Sequence, residues 1–125
     1  MDHMQRPKPP VFEQPANDGD LGDILTMIRS HYWSKLREME EPNQALMIRS
    51  WGVALEGLSR RAIESALNEW IKVEAWPPQA SDLRKLAIRQ GAVPYDAEIA
   101  AYVKVQYEKN LAAYEENLAL EAGAA

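Results

Sequence analysis

Hydrophobic residues along this chain recur every three or four positions and fall into five runs separated by polar, proline or glycine breaks. That period is helical. In the first run Leu21, Ile24, Leu25, Ile28, Tyr32 and Leu36 share one face, predicting a helix over about 21–38 with Asp20 as its N-cap. Pro42 ends it, and Asn43 is placed to cap a second helix over about 44–56 that turns Met47, Ile48, Trp51, Ala54 and Leu55 to one side. Gly57 supplies a stop and Ser59 a cap for a third helix over about 60–74, with Ile63, Ala66, Leu67, Trp70 and Val73 inward. Trp76-Pro77-Pro78 removes two amide donors and forces extended backbone, so the chain turns there, and Trp76 is expected to plug the bottom of the bundle. A fourth helix follows over about 80–90, with Leu83, Leu86 and Ala87 inward and Gly91 as its stop.

After Pro94, Tyr95 and Asp96 the pattern continues to about Glu121 as one long helix. Ile99, Val103, Tyr107, Leu111, Tyr114 and Leu118 lie within an arc of about 120° on it. The first 20 residues differ: Pro7, Pro9, Pro10 and Pro15 precede a polar stretch, and only Val11 and Phe12 offer apolar surface. They predict a disordered arm. The expected fold is therefore all-α: a compact four-helix domain over about 21–91, a disordered proline-rich arm before it, and a C-terminal amphipathic helix and frayed A-G-A-A tail over 92–125.

Composition sharpens this reading. With 125 residues, 46% of them hydrophobic and only a single phenylalanine, the chain suits one helical domain with tails. It contains no cysteine, so disulfides and thiolate metal sites are excluded. There is no run of 18 apolar residues and no apolar signal-peptide core near the start, which predicts a cytoplasmic protein without membrane contact. The net charge of -5 is uneven: residues 24–91 sum to +2, while the segments before and after sum to -3 and -4. That middle excess is small for a nucleic-acid domain.

Candidate chemistry is sparse. No phosphate-binding loop G-x-x-x-x-G-K-[ST] and no H-E-x-x-H occurs, and the carboxylates lie on expected solvent faces. The pattern predicts no enzyme, no cofactor and no metal. His31 stands alone beside Tyr32 and Trp33 and reads as a surface or capping residue before it reads as a ligand. Arg60 and Arg61 occupy a first helical turn, where the macrodipole disfavours cations at a cost of about 0.3–1 kcal/mol each. They are there by chance or because an anion binds. With Arg84, Lys85 and Arg89 they make a candidate phosphate-contacting face, the alternative being a solvated one. Tyr107, Leu111, Tyr114 and Leu118 suit docking on a partner protein or on a second copy as a homodimer, the alternative being packing on their own domain.

The succession H-Y-W, R-S-W-G-V-A-L-E-G-L-S, A-I-E-S-A-L-N-E-W and W-P-P-Q-A-S-D-L-R-K-L-A, spanning residues 24–90, resembles small helical replication proteins of phages and prophages. These are the replicative-helicase loader and inhibitor group, to which the replication P proteins of lambdoid phages are similar. The resemblance implies a protein that binds the hexameric replicative helicase, holds it inactive, and delivers it to an origin-bound initiator or to single-stranded DNA. It implies no nucleotide chemistry of the protein's own. It also implies that the segment after Gly91 carries helicase contacts, which makes Tyr107, Leu111, Tyr114 and Leu118 the partner-binding candidates.

Overall fold

The computed structural model describes residues 5–124, and among these residues every regular element is an α-helix. In chain order they are α1 (Asp18–His31), α2 (Trp33–Leu36), α3 (Gln44–Ala54), α4 (Arg60–Val73), α5 (Ala80–Arg89) and α6 (Ala97–Ala124). The all-α expectation holds. The described residues divide into two compact units, one spanning 13–95 and the other pairing 5–12 with 96–124.

The larger unit is a bundle of α1 to α5, in which α4 packs on α5 and α1, and α3 lies against α1 and α5. Its centre is made of Ile24, Leu58, Ile63, Leu67 and Leu83, each less than 2% exposed. All but Leu58, which lies in the connection between α3 and α4, fall on the stripes that the sequence displays, so faces of α1, α4 and α5 meet in a single core.

Local capping fixes where each helix begins. Asn17 and Asp20 form a reciprocal capping box at α1, with Asn17 Oδ1 accepting from the Asp20 amide at 2.8 Å and Asp20 Oδ2 accepting from the Asn17 amide at 2.9 Å. The cap is thus Asn17, not Asp20, because the box needs the side chain three residues earlier. Asn43 and Ser59 cap α3 and α4 as their positions predict. Ser59 Oγ accepts from the Ala62 amide at 3.1 Å and donates to Glu13 Oε2 at 2.9 Å.

The expected single helix over 21–38 breaks in two at Tyr32. This residue is buried, with ψ near 26°, and its hydroxyl donates to the Glu74 carbonyl at 2.9 Å. Burial raises the Tyr32 phenol above its ordinary value, the Glu74 charge adds to that, and the group remains a neutral donor. Tyr32 and Pro78 are buried, whereas Trp76, expected to plug the bundle, is not. The indole of Trp76 is 67% exposed, while its backbone carbonyl accepts from Trp70 Nε1 at 2.8 Å. The bundle therefore holds the Trp76 backbone and leaves the ring outside. Val73, expected inward, is 70% exposed because α4 ends there and Glu74 is already extended.

The arm is only partly as expected. Residues 5–17 form no regular element, but Asn17 caps α1, residues 18–20 are its first turn, and the Ala16 amide donates to Leu58 O at 2.9 Å. Residues 1–4 lie outside the described residues. Next to Leu58 O, the neighbouring carbonyl Gly57 O accepts from the Tyr95 amide at 2.8 Å. Gly57 has φ of +83°, and a Cβ there would lie 2.9 Å from Pro94 Cβ and 3.1 Å from the Tyr95 nitrogen. Gly57→Ala is expected to destabilise the bundle by more than about 1 kcal/mol, since left-handed backbone and backbone crowding act together. Urea denaturation checks it, and an unchanged midpoint would contradict it.

In the smaller unit Asp96 starts α6, its Oδ1 accepting from the Glu98 and Ile99 amides at 2.9 and 3.1 Å. The tail expected to fray is helical through Ala124, and Ala125 lies outside the described residues.

Candidate functional site

Breaking the first helix at Tyr32 turns the following residues across the end of the bundle. There α2 and the connection to α3 face the Trp76-Pro77-Pro78 turn across a groove of about 680 Å³. Leu25 and Ile28 of α1 and Met47 and Trp51 of α3 line it together with Leu36 and Met39. Trp76 and Pro77 form part of the lining, and Arg29, Lys35, Glu40 and Glu41 bring both signs of charge to it. Such a cleft suits an amphipathic segment more than a small polar ligand, because its apolar lining is broad and its charges are mixed.

Several large apolar side chains here are open to solvent. Met39 and Trp76 are more than half exposed, as is Trp33 beside them on α2. Cations cover two of the indoles: Arg29 Cζ lies 5.4 Å from the centroid of Trp33, and Lys35 Nζ lies 4.1 Å from that of Trp76. Each contact is worth about 0.5–1 kcal/mol at an exposed position and holds a ring without burying it. Arg29 Nη2 also lies 3.5 Å from Glu41 Oε1. Leu36 lies on the first predicted stripe, whereas Met39 is not singled out by the sequence; its signal is its place in the M-E-E-P break, outside every helical stripe.

The basic residues are drawn into the bundle's own contacts. Arg60 reaches Asp23 at 2.7 Å, Glu64 at 3.2 Å and Asp20 at 3.3 Å, tying the start of α4 to α1. Arg61 forms a two-pronged pair with Glu13, Nη2 to Oε2 at 2.9 Å and Nε to Oε1. Arg84, expected outward, folds back so that Nη1 donates to Glu56 O at 2.9 Å and Ala54 O at 3.3 Å, satisfying carbonyls at the end of α3. Lys85 and Arg89 are exposed. Carboxylates thus explain the two cations in the first turn of α4 without an anionic ligand.

The pair at Glu13 titrates. The Arg61 guanidinium, and after it the Ser59 hydroxyl, hold the Glu13 carboxyl below its ordinary value. A carboxyl lowered on folding stabilises the docked segment above its unfolded value, about 4.3, and this contribution is lost as pH falls through the lowered native value. Acidification below about pH 4.3 is expected to weaken the Glu13 pairing as the lowered native value is crossed, with the core still folded, seen as movement of the Glu13 and Ala16 amide resonances in a pH titration. Glu13→Gln should abolish the titration, and a Glu13 midpoint at the ordinary value would contradict it.

On α6, Tyr107, Leu111 and Tyr114 are half-buried in line with Ala100 and Val103, whereas Leu118 is 45% exposed and Ile99 61%. The predicted stripe is thus one face over 100–114, with both ends open. Among the described residues, no helix is long and apolar enough to cross a membrane, and no three His, Asp or Glu side chains gather to hold a metal ion. No protein-family model, curated protein or solved structure matches the chain.

Proposed function

We propose that the chain is a phage-type replication accessory protein that binds the hexameric replicative helicase and loads or restrains it through protein contacts, in the cytoplasm. The observation that carries this reading is the groove of about 680 Å³ with Trp76 standing open on its edge. The W-P-P turn on which the likeness to helicase loaders rests lines that groove, so the same residues serve both lines of reasoning. Tryptophans in a half-open apolar cleft with a polar rim are the usual anchors of a protein interface. An amphipathic helicase segment laying its apolar side between Met39, Met47 and Trp76 fits this chemistry.

The basic-face alternative is weaker, since Arg60, Arg61 and Arg84 already hold carboxylates or carbonyls. It would require those internal contacts to be exchanged for phosphate. Size-exclusion chromatography of an equimolar mixture with the helicase hexamer tests the proposal. Co-elution is expected, and separate elution of the wild-type chain under low and moderate salt would remove it. Repeating the run with Tyr107, Leu111 and Tyr114 changed to Ala shows whether α6 adds to the contact.

A further inference from the structure

The tyrosine face of α6 is half-buried, and α6 shares its unit with the proline-rich segment that precedes the bundle. In that segment Pro7 and Pro10 are half-buried although the backbone there has no regular structure. Two lengths agree. From Ala100 to Tyr114, the stretch of α6 that carries half-buried apolar residues, a helix rises about 21 Å at about 1.5 Å per residue. Residues 5–12, taken as a polyproline helix at about 3.1 Å per residue, extend about 22 Å. Beyond Tyr114 the apolar residues Leu118 and Leu120 are exposed.

Attachment and charge favour the same pairing. The stretches leading to the arm and to α6 are both pinned on one corner of the bundle, Ala16 to Leu58 O and Tyr95 to Gly57 O. Arg6 and Lys8 make residues 5–12 cationic, while residues 96–124 carry a balance of -4. Prolines stacked on tyrosine rings, with flanking cations near carboxylates, are the ordinary chemistry of polyproline recognition, and the pre-set proline backbone lowers the ordering cost.

We propose that the face formed by Tyr107, Leu111 and Tyr114 is a binding surface for a proline-rich extended segment, and that the chain's own residues 5–12 occupy it. An incoming protein reaches those tyrosines by displacing the arm. Only this last consequence involves the helicase reading; the occupancy itself stands apart from it.

Nuclear magnetic resonance of the isolated full-length chain tests the occupancy without any helicase, so its failure is separable from a failure of helicase binding. Expected are nuclear Overhauser contacts between proline protons of the arm and the ring protons of Tyr107 and Tyr114, with arm amide order parameters above about 0.6. In the double variant Tyr107→Ala, Tyr114→Ala those order parameters should fall below about 0.6. The triple variant Pro7→Ser, Pro9→Ser, Pro10→Ser attacks the pairing from the other side and should lose the ring contacts with the bundle resonances unchanged. An arm already below that value in the wild type, or arm order indifferent to both variants, overturns the proposal. Ring contacts that appear only between differently labelled chains overturn it too, in favour of a second copy.

Discussion

Trp76→Ala is expected to weaken the proposed binding to a replicative helicase by about thirtyfold while leaving the thermal midpoint nearly unchanged. The indole is 67% exposed at the edge of the groove, so its removal opens no cavity in the bundle. The backbone carbonyl that fixes the turn to Trp70 Nε1 survives the substitution. What is lost is the ring as an anchor, together with its contact to Lys35 at 4.1 Å. Tryptophan anchors in interface centres contribute about 2 kcal/mol or more, and about 1.4 kcal/mol corresponds to a tenfold change in affinity. Calorimetric titration against the hexamer reads the change directly. Wild-type affinity in the variant would mean that the groove is not where the partner docks.

Ile63→Ala should have the opposite profile, large in stability. Ile63 is fully buried at the centre of the bundle, on the face of α4 that meets the rest of the core. Truncating such a residue removes transfer free energy and leaves a cavity, at about 2–5 kcal/mol. In a domain of this size each kcal/mol is worth about 4–8 °C, so the midpoint should fall by about 10 °C or more in a calorimetric scan. A shift under about 3 °C would indicate a core that closes around the missing methyls or a different packing centre. Comparing the two variants separates a surface that binds from a core that only supports it.

The fold was largely legible because its determinants are local. Asn43 and Ser59 cap where hydroxyl or amide side chains precede a helical stripe, Gly57 and Gly91 take positive φ at helix ends, and Ile63, Ala66 and Leu67 bury at the expected spacing. What escaped sequence reasoning depends on distant partners. Nothing near Tyr32 announces that its hydroxyl meets the Glu74 carbonyl 42 residues away, and that contact accompanies the break in the first helix. Tyr32 and Pro78 are buried, while the Trp76 ring stays outside and lines the groove. Periodicity marks which residues are apolar but not which of two competing residues takes the last buried position. The same limit applies to the cations: Arg60 and Arg61 look misplaced in a first turn until Asp20, Asp23, Glu64 and Glu13 are brought to them by the fold. Arg84 instead closes the end of α3 through Glu56 O and Ala54 O.

Hydrogen-exchange mass spectrometry of the full chain with and without the helicase hexamer tests the docking surface most directly. Slower exchange is expected over residues 33–42 and 76–79, which flank the groove, with the centre of α4 unchanged. Protection confined to the first turn of α4 and to α5, with residues 33–42 and 76–79 unaffected by the hexamer, would contradict it.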